Sequence, residues 1–559
     1  MRLHLTLAVL TALALVITFR SNQQIRFTFA HVQEMAEQRS HSAYVPLPNV
    51  LPPQLKNLTP EQEDGIFWND AHRLWRNEGL PFQVDFYHVS KSFPYAPKIN
   101  TVDAKGTHTL KYTPTFFRFS GLQFNPPLPD TLGYAGFYLR YPINKPDSLD
   151  SFFSFQGASY FRVVAKDQVY GLPTRGVSIN TAVDGKKEEF PNFCEWWLQQ
   201  PAANASEMVL DALLDGPSVT GAYEFKVRPG AVTSVDVHVI FFFRQAVDRV
   251  GIAPLTSMYL FGENAKDHFG DNFHPEIHDS DGLLINKNNG EWMWRPLEQE
   301  KFVQLYPAAY ENPRGFGLIQ RDRDFQHYLD TAAKYNIRPS AYVTPKGDWG
   351  KGVVQLIQLP TNNTNTDNVV LFWTPEKKIQ AGDRLDLSYT VDYYMNDANR
   401  PPLAYATQTL VNDPAPPPLP PAPSVPATPK PSIPAAPVAV KSGTPTPPPA
   451  RVAVPAVPSV PVSPNGTTPV QFVIDFFGDG IDTIAATDPP HLDLTCTPPL
   501  GPVGRGTFLN EHLVEKKDKS WRVSFTIIPF KHDVPTDILC RLTQDKKPIT
   551  ETWTYTWHQ

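Results

Sequence analysis

The sequence is poor in cysteine, in net positive charge and in helical periodicity, and each shortage removes a class of function. It has 3 cysteines in 559 residues. None forms a CxxC pair and none joins a histidine cluster, so no structural zinc site is expected. Lysines and arginines number 50 against 56 acids, a net charge of -6. That balance gives no electrostatic footing for a polyanion, and nucleic acid is not an expected partner. An uncharged ligand such as a sugar is indifferent to it. The N-terminal apolar run, Leu5 to Phe19, is shorter than the ~20 residues of a membrane-spanning helix and has the length of a signal-peptide core. No Ala-x-Ala site follows it. Residues 1–26 are therefore assigned to export, as a cleaved leader or a retained anchor.

Proline is what the chain has in excess, 59 residues, and the surplus is concentrated between Asp413 and Pro469. "DPAPPPLPPAPSVPATPKPSIPAAPVAV" holds almost no aromatic residue and cannot build a core. It reads as an extended spacer with a reach on the order of 150 Å at polyproline spacing. The spacer divides a domain at 27–412 from a smaller one at 470–559.

Both domains are dominated by period two. In "VTSVDVHVIFFFR" the residues Val235, Val237, Val239, Phe241 and Phe243 share a face, with Asp236 and His238 opposite. Trp521, Val523, Phe525 and Ile527 do the same after the spacer, as do Trp553, Tyr555 and Trp557, whose aromatic row reads as core. Helical signals are confined to "NDAHRLWRNEG", with an Asn or Asp cap, and to "DRDFQHYLDTAAKYN", where Phe325, Tyr328, Leu329 and Ala332 fall on one stripe. The expected fold is all-β: a large antiparallel sandwich followed by a small immunoglobulin-like one. Cys496 and Cys540 are candidates for a disulfide contributing about 4 kcal/mol, or else two buried thiols. Cys194 reads as an inert core residue.

The stretch "HPEIHDSDG", from His274 to Gly282, concentrates the titratable groups. Its His274/His278 spacing mimics a helical zinc pair, but Pro275 and the following turn oppose a helix, and no third ligand is evident. A solvated turn and one half of an acid–base pair remain. Nearby "GEWMWRPL" places Trp292 and Trp294 on one face beside Arg295. Carboxylates beside tryptophan faces suit a saccharide, whose C–H faces pack on rings and whose hydroxyls bond acids and amides. Glycosidic cleavage needs a carboxylic acid to protonate the leaving oxygen and a base to activate water. A second polar stretch, "PTNNTNTDNVV", holds one acid, Asp367.

Long segments carry a resemblance: "LWRNEGLPFQVDFYH", "AGFYLRYPIN", "GASYFRVV", "LLDGPSVTGAYEFKVRPG", "GIAPLTSMYLFGEN", "HDSDGLLI", "ENPRGFGLIQRDRDF", "RPSAYVTPKGDWGKG" and "TDNVV", then "SWRV" and "TETWTYTW" after the spacer. From Phe27 to Gln559, spacer excepted, the chain resembles the periplasmic glucan biosynthesis proteins of the OpgG/OpgD (MdoG/MdoD) family. The resemblance implies a galactose-mutarotase-like β-supersandwich joined to an immunoglobulin-like domain, exported to the periplasm. It also implies a role in making osmoregulated periplasmic glucans with a β-1,2-linked glucose backbone. Some members of the family are inverting β-1,2-glucanases. Their general acid falls on Asp367 and their general base on Asp279. A proton path falls on Tyr335, Arg338 and Asn365, the last replacing a threonine.

Other departures are Thr364, where hydrolytic relatives carry an acid, and Gln355 and Gln358, where they carry glutamates. Neighbouring carboxylates help a general acid keep its proton. Their loss predicts slower hydrolysis, or a shift towards transfer or binding. The expected activity is thus an endo-β-1,2-glucanase, with a transglycosylase and a non-catalytic glucan-binding scaffold for a membrane glucan synthase as alternatives. Trp292, Trp294, Arg295, Tyr160, Trp349, Lys346, Asp348, Lys351, Glu276 and His278 are the expected substrate-binding residues, with core packing or a solvated turn as the alternative for the aromatics and for the 346–351 turn. No metal or organic cofactor is expected; a homodimer remains open.

Overall fold

The computed structural model describes residues 27–157, 159–396, 399–413, 469–478, 480–497, 508–529 and 535–558. Residues 1–26, expected to serve export, and nearly all of the proline-rich stretch lie outside them. Among the described residues no helix is long and apolar enough to cross a membrane.

Two large, mainly antiparallel sheets, of 10 and 15 strands, make up most of the molecule. Their facing sides enclose one aromatic-rich core. The alternation read from the sequence holds in strand Val232–Phe243, where Val235, Val237, Val239, Phe241 and Phe243 are buried. It lapses at Ile240 and Phe242, which are buried too, because helix Phe29–Ser40 lays Val32 and Ala36 over the other face. That helix carried no strong apolar stripe to announce it. The two helices that were expected shrink to single turns. Asp70–His72 has its Asn69 cap but ends before Trp75, which adopts a left-handed backbone (φ 67°). Phe325–Tyr328, capped by Asp324, stops at Leu329 (φ 54°). Neither residue can continue a right-handed helix in that conformation.

After the spacer, a sheet of four strands faces an arm of the 15-stranded sheet, and together they bury Phe472, Trp521, Phe525, Trp553 and Tyr555. The first strand of the four is Tyr405–Asn412, from before the spacer. It pairs with Val470–Phe477, so the small sandwich takes part of its wall from the segment assigned to the large domain. The arm is continuous with the large sheet: Met293 and Trp294 pair in parallel with Thr552 and Trp553. The Cys496–Cys540 disulfide is corrected here. Both thiols are free and buried. The register sets Ile538 opposite Cys496 and Leu494 opposite Cys540, a diagonal relation of roughly 7–8 Å between backbones, too long for a disulfide's Cβ atoms. Cys194 donates a weak hydrogen bond to the Leu213 carbonyl (3.4 Å), and burial pushes its thiol up to about 12.

Candidate functional site

Strand Val250–Ser257 pairs with Val369–Pro375, and the chain then leaves that sheet to form the short strand Tyr259–Phe261. At this exit two loops are fastened to consecutive residues. The amide of Asp279 donates to the Met258 carbonyl (2.8 Å). On Tyr259, the Asn368 side chain accepts from the amide (2.8 Å) and donates to the carbonyl (2.9 Å), as a neighbouring strand would. Asn368 also donates to the Leu359 carbonyl (3.0 Å) and accepts from its amide (2.8 Å), closing the loop that carries Asp367.

Asp279 and Asp367 are thus brought to one place. Burial pushes the Asp279 carboxyl upward, the Arg338 guanidinium beside it pulls downward, and the negative charge of Asp367 adds a further upward push. Asp279 is buried while Asp367 is half-buried at the end of an exposed loop.

Arg338 is positioned from three sides. It ion-pairs with Asp279, donates through Nε to the Ala333 carbonyl (3.1 Å) and lies 4.4 Å over the Tyr335 ring. Gly171 leaves room for it: a Cβ there would stand 3.0–3.3 Å from the Arg338 side chain. Tyr335 is buried, which pushes its phenol up to about 12, with Asp279 adding to the rise and Arg338 opposing it. Asn365 lies in the exposed turn before Asp367. Tyr160 shares a strand face with Arg162, whose guanidinium lies 5.1 Å from the Tyr160 ring. Arg162 donates to the Gly171 carbonyl (3.1 Å), and its charge lowers the Asp279 carboxyl.

His278 and Glu276 are buried behind Asp279. They bond one another at 2.7 Å, and His278 Nδ1 meets the Gln320 amide oxygen at 3.0 Å. Despite burial, Asp281 and Glu276 raise His278 to about 9. The Asp281 carboxyl is itself pushed up to about 6, mainly by burial, with Asp322 and Glu276 adding to the rise. Gln320 Nε2 joins this layer to the Tyr328 hydroxyl (2.9 Å) and the Tyr335 carbonyl (3.3 Å). Among the described residues, three groups set possible metal donors within 4.8 Å of one another: Glu276/His278/Asp281, Glu276/Asp322/His327 and Glu298/Glu300/His558. In each the histidine already bonds a carboxylate.

Several expected sugar-binding residues lie elsewhere. Trp294 is core: the Arg321 guanidinium lies 3.5 Å over its ring, and Gly282 makes the space, since a Cβ there would sit 2.4 Å from the indole. Half-buried Trp292 packs near Tyr342 on the same core. Arg295 is buried against Glu298 (3.0 Å). Trp349 donates to the Ser388 carbonyl (3.1 Å) and packs against Trp373. Lys346 pairs with Asp236 (2.6 Å), while Asp348 and Lys351 are exposed. The 346–351 turn meets the far end of strand Gly282–Asn286: Trp349 bonds Asn312, and the Arg314 amide donates to the Asn286 carbonyl. Asp279 precedes the near end, one strand length, roughly 17 Å, away.

Reasoning from the sequence missed Asn368, Gln320 and Arg162. Asn368 was visible as the residue after Asp367, since an Asn at a turn often replaces a backbone partner. The other two gave no local signal.

A family profile described as "Periplasmic glucan biosynthesis protein, MdoG" matches residues 27–418 and 440–557. The chain is 36% identical to "Glucans biosynthesis protein G" of Sodalis glossinidius over 533 residues, 95% of this chain and 92% of that one. It is 42% identical to the proteins of the same name from Pseudomonas syringae pv. tomato, over 72% of this chain and 63% of that one, and from Pseudomonas aeruginosa PAO1, over 69% and 73%.

Proposed function

We propose that this chain, which belongs to the periplasmic glucan biosynthesis (MdoG) family, cleaves β-1,2-linked glucan in the periplasm by inversion at the anomeric carbon. Asp367 is the general acid: it gives its proton to the glycosidic oxygen as the C1–O bond breaks. Asp279 is the general base, accepting a proton, through ordered water, from the water that attacks C1 on the opposite face. Arg338 and Tyr335 orient the Asp279 carboxylate, and Tyr160 with Arg162 forms a wall for the sugar. The single observation that supports this reading most is the tethering of the two loops that carry the acids to Met258 and Tyr259, through the Asp279 amide and the Asn368 side chain.

The test is incubation of the full chain with linear β-1,2-glucan, following product size, linkage and anomer. Asp367→Asn and Asp279→Asn should each lower the rate about 10²–10⁴-fold. Equal rates and identical products from wild type and Asp367→Asn would remove the assignment. A second reading, glucan transfer or binding without cleavage, is favoured by the loop of Asp367, where positions 361–366 carry only Thr and Asn. It predicts branched or cyclised products, or saturable binding without shortening.

A further inference from the structure

A cavity of about 590 Å³ lies between the loop of Asp367 and strand Thr552–Trp557, and the reading above leaves it without a role. Its volume is in the range of small-ligand sites. Its walls are the stretches 264–269, 298–304 and 360–362, closed by Asp413 and by residues 555–558. These walls hang from the strand that fastens the two acids. Tyr259 donates through its hydroxyl to Asn264 (2.5 Å), and Gln299 donates to the carbonyls of Leu260 (3.2 Å) and Asp267 (2.6 Å). Pro360, Thr361 and Asn362 begin the loop that ends in Asp367.

The charges around the cavity are largely cancelled within the protein. Lys266 pairs with Asp413, His558 with Glu300 (2.8 Å), and Arg295 with Glu298 (3.0 Å). Two further lining charges, Asp267 and Lys301, are exposed and of opposite sign; the other groups left for a ligand are rings and neutral polar side chains. Phe269 and Phe302 are 43% and 73% exposed, and Gln304, Thr361 and Asn362 stand among them. Aromatic faces mixed with amides and a hydroxyl, and little uncompensated charge, match a neutral polyhydroxylated ring.

We propose that this cavity is a second saccharide site, taking a stretch of gluco-oligosaccharide remote from the bond being cleaved. The proposal rests on the glucan reading above. Long glucans would then be held at two places, and chains too short to span them at one.

The test titrates linear β-1,2-glucan into the full chain carrying Asp367→Asn, with and without Phe269→Ala and Phe302→Ala. Both phenylalanines are exposed, so their truncation leaves the fold intact. The double truncation should weaken binding about tenfold, near the sum of two aromatic contacts. With Asp367 restored, it should raise KM for long glucan and leave turnover of the shortest cleaved oligosaccharide unchanged. Unaltered binding and KM in a chain that still cleaves glucan would overturn the second site and leave the acids' roles standing. Weakened binding in a chain whose wild type never shortens glucan would uphold the site and remove the hydrolase reading. No glucan binding by the Asp367→Asn chain would overturn the site.

Discussion

The two acids sit in opposite kinds of surroundings. Asp279 is buried, bonded through its backbone and ion-paired through its side chain, with the His278–Gln320–Tyr328 layer behind it. Asp367 ends a loop whose other bonds are local: Thr361 to Asn363, and Asn365 and Thr366 to the Asn363 side chain. One amide, Asn368, fixes that loop to the sheet. The difference separates two requirements of the chemistry. In the proposed reaction a base needs a defined charge state, which burial against a guanidinium would set at Asp279. An acid needs placement at the leaving oxygen, which in that reaction a single side chain would set for Asp367.

The strongest way to break this contrast is Arg338→Ala. It leaves a buried carboxylate without its cation, an arrangement costing about 3–5 kcal/mol. Thermal unfolding should register the loss, and the pH–rate profile should move its acidic limb upward as Asp279 takes up a proton more readily. Asn368→Ala should act differently. Losing its hydrogen bonds costs about 1–3 kcal/mol, felt in the loop first, so amide exchange at 359–367 should quicken and kcat should fall about tenfold, with a small change in Tm.

A weaker effect comes from the layer behind Asp279. His278 is raised in the folded state to about 9 from its ordinary 6.5. Its contribution to stability is therefore complete below about pH 6.5 and is lost as the pH rises through about 9. Tm should drop by a few degrees across that window, and His278→Gln should flatten the slope. The smallest effect sharpens the comparison by being absent. Lys346→Ala and Asp348→Ala, at the far end of strand Gly282–Asn286, should leave glucan turnover and Tm within error of wild type.

These outcomes also mark what the sequence could reveal. Alternation in Val232–Phe243 and Ser520–Ile527 exposed the strands, because one face of each is wetter than the other. The same alternation could not say what covers a face. Trp292 and Trp294 do lie on one strand, yet Trp294 is sealed under Arg321 and against Gly282, residues brought there by pairing across the sheet. Trp349 is sealed in the same manner against Trp373 and Ser388. Asp279 and Asp367 were placed by resemblance to a family rather than by any local pattern. That their loops share Met258 and Tyr259 depends on a strand exit with no mark in the residues themselves. The proposed disulfide failed for a related reason: the spacing of Cys496 and Cys540 fixes loop length and says nothing of register.

The parallel join between Met293–Trp294 and Thr552–Trp553 couples residues far apart in the chain; Thr554 and the Trp294 carbonyl that it bonds are 260 positions apart. A polypeptide synthesised from its N-terminus must therefore carry strand Trp292–Pro296 as an open border until translation has passed the spacer. Unprotected borders of this kind recruit other chains. The closing segment thus doubles as a guard against clumping during biogenesis, a duty independent of any sugar.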